Sequence, residues 1–267
     1  MNKADIFKLL NDMWIDYLRL NPEAQKIHQL LQRQNPIIIN DHIALRTFDI
    51  ESINIEVLAA PFLSAGYYWA DEYHFPVKHL YAKHLQHIDT KLPKVFISQL
   101  LTESLNQANQ TLIHNLISQI PKAQIGQTDF CYSGRYWNLS YADYQQLLVQ
   151  SEYAAWVAAF GFRPNHFTIF INQLDSHNSI ESINDFLKAE GFKLNSAGGE
   201  IKGGAEEYLA QSSTLANSIS VQFTDRTAEI PSCYYEFAQR FPMPDGSLYQ
   251  GFVAASADKI FESTHTR

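Results

Sequence analysis

Between Lys3 and Leu20, apolar residues fall at Ile6, Leu9, Leu10, Met13, Trp14, Tyr17 and Leu18, a spacing that lays one stripe along a helix. Asn21-Pro22-Glu23 supplies a cap, a first-turn proline and an acidic start for a second helix reaching Gln34, which Pro36 ends. The pattern then changes: branched and aromatic residues over 37–48 predict a strand. Asp49 is placed to cap a helix beginning at Ile50, broken at Pro61 and stopped by Gly66, and residues 79–86 and 94–100 read as further strands. Helical patterns follow over about 102–120 and from Ser140 to Phe160, the latter with a break near Ser151 and a stop at Gly161. Residues 165–172 read as a strand. Asn178-Ser179-Ile180-Glu181 resembles a capping box ahead of a helix with Ile183, Phe186 and Leu187 on one face and Gly191 as its stop. Residues 206–212, 218–224 and 232–240 predict three more strands.

One short phrase in this pattern occurs twice. Asp41-His42-Ile43-Ala44-Leu45-Arg46 is followed by Ile50-Glu51-Ser52-Ile53-Asn54, and Asn165-His166-Phe167-Thr168-Ile169-Phe170 by Ile180-Glu181-Ser182-Ile183-Asn184. Each time an acid or amide precedes a histidine that opens a β-rich run, as if one unit were used twice. The expected fold is α+β: two βαβββ-like units form a partly closed sheet around a metal, with helices outside. Residues 36–100 give the first unit as βαββ, its fourth strand supplied late by residues 129–139. Residues 101–161 read as a helical insertion packed on the outside. Residues 162–267 hold the second unit and a C-terminal segment, all within a single domain over 1–267.

The 267 residues carry a net charge of −8 with no basic block, which argues against nucleic acid or an anionic membrane as partner. Asp5, Asn11 and Asp12 interrupt the N-terminal apolar residues, so no signal peptide is expected, and no stretch reaches the roughly 20 apolar residues of a bilayer span. A cytoplasmic enzyme or binding protein is the expectation. Cys131 and Cys233 are expected to be buried free thiols.

Side chains alternate across a strand, so His42, Ala44 and Arg46 share a face, as do His166 and Thr168, and Tyr234, Glu236, Ala238 and Arg240. Glu236 stands among Tyr234, Tyr235 and Phe237, and a carboxylate buried there needs a cation or hydrogen-bond donors. A divalent metal shared with His42 and His166 would satisfy it; two imidazoles and one carboxylate are the donor set of non-haem Fe(II) oxygenases. Asp225, Glu206, Glu207 and Glu229 are rival carboxylates, and a Glu236–Arg240 ion pair is the alternative. Arg46, about 13 Å beyond His42 along an extended strand, can lean back to take a substrate carboxylate on its planar fork. Of His74, His79, His84 and His87, His79 and His87 share a face while His84 points away, which makes no chelate. Gly198-Gly199 and Gly203-Gly204 lack the spacing of a phosphate loop and read as a flexible loop over the site mouth.

At these residues the chain resembles a known family. Asp41-His42-Ile43-Ala44-Leu45-Arg46-Thr47-Phe48, Tyr234-Tyr235-Glu236-Phe237 and Ala255-Ser256-Ala257-Asp258-Lys259-Ile260-Phe261-Glu262-Ser263 are similar to phrases of the 2-oxoadipate dioxygenase/decarboxylase (2-hydroxyglutarate synthase) family, related to the vicinal oxygen chelate fold. The resemblance implies Fe(II) held by His42, His166 and Glu236. It also implies a substrate carboxylate on Arg46, and a pocket lined by His42, the backbone of Ala255, and Ser256. The activity expected is conversion of a 2-oxo dicarboxylic acid and O2 to a 2-hydroxy acid and CO2. Another metal enzyme of the same fold (extradiol dioxygenase or glyoxalase type) and a metal-free binding protein for a small acid are the alternatives.

Overall fold

The structure, a computed structural model, describes residues 3–264. The opening stripe forms α1 (Lys3–Leu20), and α2 (Pro22–Gln32) begins where Asn21 Oδ1 accepts the Ala24 N–H at 3.1 Å. The first unit is β1 (Asn40–Phe48), α3 (Ile55–Ser64), β2 (Tyr68–Phe75), β3 (Leu80–Gln86) and β4 (Lys94–Leu100). Helices α4 (Gln107–Ile117), α5 (Tyr141–Gln150) and α6 (Glu152–Phe160) follow. The second unit is β5 (Pro164–Phe170), α7 (Ile180–Ala189), β6 (Lys202–Gly204), β7 (Leu209–Ser213) and β10 (Tyr234–Arg240), with the hairpin of β8 (Ser218–Gln222) and β9 (Thr227–Pro231) inserted before β10. A short helix, α8 (Ala254–Ile260), and a 3-10 turn (Phe261–Thr264) close the described chain. None of the described helices is long and apolar enough to cross a membrane.

The two units share one eight-stranded sheet in the order β2-β3-β4-β1-β5-β10-β7-β6. At its centre β1 and β5 run antiparallel, with Ala44 opposite His166 and His42 opposite Thr168. On either side the pairing is parallel, β1 with β4 and β5 with β10, so each half mirrors the other about a local two-fold. This is the expected pair of βαβββ units in a partly closed sheet of vicinal oxygen chelate type. One face is concave and holds His42, His166 and Glu236. The other packs on helices: Phe167, next to His166 and so pointing the opposite way, lies against Trp14 and Tyr17 of α1, with ring centroids 5.0 and 4.9 Å apart.

Several local expectations are corrected. The fourth strand of the first unit is β2, not residues 129–139, which make a 3-10 turn (Phe130–Tyr132) and a single bridge from Gly134 to Phe162. β2 escapes a period-two reading because it is an edge strand exposing much of both faces, with a register shift between Trp69 and Asp71. Asn54, not Asp49, caps α3; Asp49 instead accepts from Thr102 N and Oγ1 at 2.9 and 2.6 Å. Pro61 lies inside α3 without ending it. The strand expected over 218–224 leaves the main sheet and pairs with β9, and Gly203-Gly204 belong to β6 rather than a loop. Gly203 has a reason to be glycine: its φ is +71°, and a Cβ there would meet Leu209 O at 2.3 Å. The break at Ser151 and the stop at Gly161 are as read. However, α6 is no outer addition. It is buried from Tyr153 to Phe160, and Tyr153 reaches β1 and β4, its hydroxyl accepting from Thr47 N and donating to Ser98 O.

Phe167→Ala should remove about 3–5 kcal/mol of unfolding free energy, because the aromatic layer between β5 and α1 cannot close over the void. Urea denaturation of parent and variant measures it.

Candidate metal centre

Sheet register brings the site together in rows across the concave face. One row runs Lys94, His42, Thr168, Glu236, Ser213 over β4, β1, β5, β10 and β7; the next runs Phe96, Ala44, His166, Tyr234. Taking His42 and His166 as equivalent positions, Phe96 stands where Glu236 stands in the second unit. The first unit therefore offers one polar donor and the second offers two.

His42, His166 and Glu236 converge, each buried, with one potential ligand atom apiece lying within 4.8 Å of the others. His42 Nε2 is 3.4 Å from Glu236 Oε1, and His166 Nε2 is 3.2 Å from Glu236 Oε2. Donors held about 2.1 Å from one metal in neighbouring positions sit about 3 Å apart, which is this spacing. The opposite ring nitrogens are engaged: His42 Nδ1–H donates to Asp41 Oδ1 at 2.8 Å, and His166 Nδ1–H to Asn165 Oδ1 at 3.2 Å. Both Nε2 lone pairs are thereby turned inward. Thr168 Oγ1 donates to His42 Nε2 at 3.0 Å, a bond that rotation of the hydroxyl releases.

Burial raises the Glu236 pKa to about 8, against Gln211, whose amide donates to Oε1 at 2.5 Å. Oε2 has no hydrogen-bond partner among the described residues. Burial holds both histidines below their ordinary range, His166 well below, where His42 and Arg46 add to the effect. The imidazoles are neutral, as metal ligands must be. The donor set, the inward lone pairs and the orphaned buried carboxylate oxygen all fit a divalent cation.

Behind His42 lies an ion pair that the sequence reading did not foresee. Arg240 grips Asp41 in a two-pronged bond, Nε to Oδ2 at 2.6 Å and Nη2 to Oδ1 at 2.8 Å, while Nη1 donates to Tyr249 O and Gly251 O. Burial raises the Asp41 pKa, but the Arg240 charge, then Lys94, outweigh it and leave the carboxyl well below the usual range. Arg240 thus belongs to Asp41, and the Glu236–Arg240 pair is excluded.

Arg46 is 2% exposed, and none of its three guanidinium nitrogens has a hydrogen-bond partner among the described residues. Its charge packs on the rings of Tyr153, Trp156 and Phe261 at 5.0, 5.2 and 5.6 Å, with Glu152 Oε1 3.8 Å from Nη1. It lines a cavity of about 240 Å³. The triad faces a separate space of about 20 Å³ walled by Phe96, Tyr234, Phe252, Ala257, Ile260 and Phe261, and Phe261 borders both. Ala255 is exposed and Ser256 is buried beside Gly203 of β6, so neither lies on the triad cavity; Ala257 and Ile260 of α8 take that place. His84 is buried on the concave side against Phe252 and bonded to Tyr73 Oη, its pKa lowered by burial to about 3. It makes no chelate. Of the rival carboxylates, Glu206, Glu207 and Asp225 are exposed and Glu229 lies in the β8–β9 hairpin, away from the triad.

The family model for 2-oxoadipate dioxygenase/decarboxylase matches residues 3–125 and 125–247. The chain belongs to that family. A 2-oxoadipate dioxygenase/decarboxylase of Arabidopsis thaliana, named as chloroplastic, is 35% identical over 96% of this chain and 76% of its own. The crystal structure of the Oryza sativa hydroxyglutarate synthase in complex with 2-oxoadipate superposes with a TM-score of 0.92 at 36% identity, over 98% of this chain and 92% of that one. A protein from Shewanella frigidimarina, provisionally named a hydrolase, has a TM-score of 0.91 and 52% identity over 96% and 100%. In this member of the 2-oxoadipate dioxygenase/decarboxylase family, the paired histidines stand on the two central strands of the sheet, β1 and β5.

Asp41→Asn leaves the Arg240 guanidinium buried without its counter-charge, so stability should fall by about 3–5 kcal/mol. Because the folded pKa of Asp41 lies below its ordinary 3.8, the pair's contribution is complete above that value and fades as pH falls toward the depressed one. The parent–variant difference in urea midpoint should be flat from pH 8 to 5 and shrink below about 4.

Proposed function

We propose that the protein is a non-haem Fe(II) dioxygenase/decarboxylase acting on a 2-oxo dicarboxylic acid, 2-oxoadipate or a close relative. The observation that carries this is the fully buried Glu236 carboxylate, which has an inward Nε2 of His166 beside Oε2 and of His42 beside Oε1, and whose Oε2 has no hydrogen-bond partner among the described residues. His42, His166 and Glu236 would hold the ion, which when bound supplies the dioxygen activation that no side chain provides. Three protein donors leave positions open for a 2-oxo acid and oxygen. The names of the matched relatives, which specify 2-oxoadipate, support the substrate class.

The protein's own part is placement and exclusion of water. Arg46, whose buried N–H groups make no hydrogen bond among the described residues, takes the carboxylate at the far end of the substrate on a rigid fork. Phe96, Phe252, Ile260 and Phe261 line the triad with apolar surface, which keeps bulk water from the reacting end. The overall change balances: the C1 carboxylate leaves as CO2, the keto carbon becomes the new carboxyl, and its neighbour gains the hydroxyl. Both atoms of one O2 are accounted for. We place the reaction in the cytoplasm, consistent with the lack of membrane-spanning helices among the described residues. We assign no nucleic acid partner, in keeping with the acidic charge.

Anaerobic loading should give one iron per chain, and admission of air with 2-oxoadipate should consume O2 and release CO2 in equal amounts. Full iron loading without oxygen uptake across a panel of 2-oxo acids would remove the dioxygenase reading. In Glu236→Gln, size is kept but the charge that offsets the cation is gone, so iron content and turnover should both collapse while the fold survives. Arg46→Lys should keep its iron and bind substrate about 10- to 100-fold more weakly, because a point charge replaces the fork; loss of iron with unchanged substrate affinity would refute the assignment.

A further inference from the structure

Tyr234 takes no part in the metal set, yet it is placed as though it met a ligand. Its side chain is 0% exposed, and its hydroxyl has no hydrogen-bond partner among the described residues. The residue is held firmly: Tyr17 Oη donates to its backbone carbonyl at 2.5 Å, and its ring stacks on His166 at 4.7 Å and 28°. It forms part of the wall of the triad cavity. A buried hydroxyl left unmade lowers stability, and such groups are normally satisfied within the fold. Phenylalanine would fill the same space without that cost.

Arg46 is in a related position: among the described residues its three buried nitrogens make no hydrogen bond, and Glu152 Oε1 stands 3.8 Å from Nη1. Register relates the two. Tyr234 stands beside His166, His166 stands opposite Ala44, and Arg46 is the next residue after Ala44 on the same face of β1. Ala44 is small, so the lane between them is not filled by a long side chain. Tyr234 walls the triad cavity and Arg46 the neighbouring one, with Phe261 bordering both; one acceptor group reaching across that border would serve both sets of donors, since a carboxylate has about four lone-pair positions.

We propose that Tyr234 is a substrate-binding residue whose hydroxyl donates a hydrogen bond to the carboxylate that Arg46 receives, the one at the end of the 2-oxo dicarboxylic acid remote from the metal. The inference rests on the 2-oxo acid reading above. It makes Tyr234 a determinant of the preference for a second carboxylate, acting beside the arginine fork.

The test is Tyr234→Phe in the full chain. Dissociation constants for 2-oxoadipate and for 2-oxohexanoate, of the same length without the far carboxylate, are measured anaerobically on iron-loaded parent and variant. Thermal midpoints are taken on the metal-free proteins. The expected result is a 2-oxoadipate affinity lowered about 10- to 100-fold, the size of one hydrogen bond to a charged acceptor. The 2-oxohexanoate affinity and the iron content should be unchanged, and the metal-free midpoint equal to the parent's or higher. An unchanged 2-oxoadipate affinity overturns the proposal. So does an equal loss for both acids, which would put the hydroxyl at the metal end, and so does a lowered midpoint, which would make its role structural. If the parent itself binds neither acid, the 2-oxo acid reading falls and takes this inference with it; that failure shows in the parent, before any variant is compared.

Discussion

The interaction on which the site depends is the burial of the Glu236 carboxylate between two imidazoles. Desolvation of an ionised carboxyl costs several kcal/mol unless charge or donors offset it. Here one amide, from Gln211, reaches one oxygen, and the pKa rises to about 8. The fold has already used its other buried charges elsewhere: Asp41 and Arg240 neutralise each other, and Arg46 lies against aromatic rings on the far side of His166. What remains at the triad is one carboxyl that ionises only with difficulty, two neutral nitrogen donors and, among the described residues, no cation in contact with them. That arrangement suits a divalent cation, which the three donors could hold.

The two-fold sheet explains how so few residues suffice. A duplicated unit places equivalent strand positions at matching depth on the concave face, so a histidine at the same point of β1 and β5 yields converging imidazoles. Symmetry is then broken where the chemistry needs it. Phe96 in the first unit faces Glu236 in the second, which limits the protein to three donors. Helix α6 adds Tyr153 and Trp156 around Arg46, while α8 bridges to both edge strands, β2 and β6. The additions to the duplicated core are what give the site a direction, with the metal end on one side of His166 and the arginine on the other.

The triad was legible in the sequence because strand alternation and repetition are local signals. His42 and His166 announced themselves by equivalent position, and Glu236 by a carboxylate set among aromatics. What lay outside local pattern was lost. The Glu236–Arg240 pairing considered from the sequence fails on distance, because residues four apart on a strand share a face but stand about 13 Å apart. Arg240 instead reaches Asp41, 199 residues away, across β5. The acid or amide before each histidine was visible in the repeated phrase, but its role of holding Nδ1 appears only once the ring is oriented. The second half of the phrase misled: Ile180 to Asn184 lies within α7, whereas Ile50 to Asn54 precedes α3, so the two are not equivalent in the fold. Strand β2 was missed because an edge strand carries little alternation, and β6 because two of its three residues are glycine.

The C-terminal segment lies between the triad space and the cavity at Arg46. The space at the triad, about 20 Å³, holds little more than one water-sized group, whereas the cavity at Arg46 is about 240 Å³. A six-carbon acid touching both ends must pass Phe261, which borders each. That side chain is held from several directions: edge-on to Phe75 of β2 at 5.4 Å, close to the Arg46 guanidinium, and flanked by Asp258 and Glu262, each 4.0 Å from Lys78. The ion pairs are long and partly solvated, so they contribute little. The apolar contacts are the substantial restraint, and a ligand that replaces them with its own chain while engaging Arg46 exchanges one apolar filling for another.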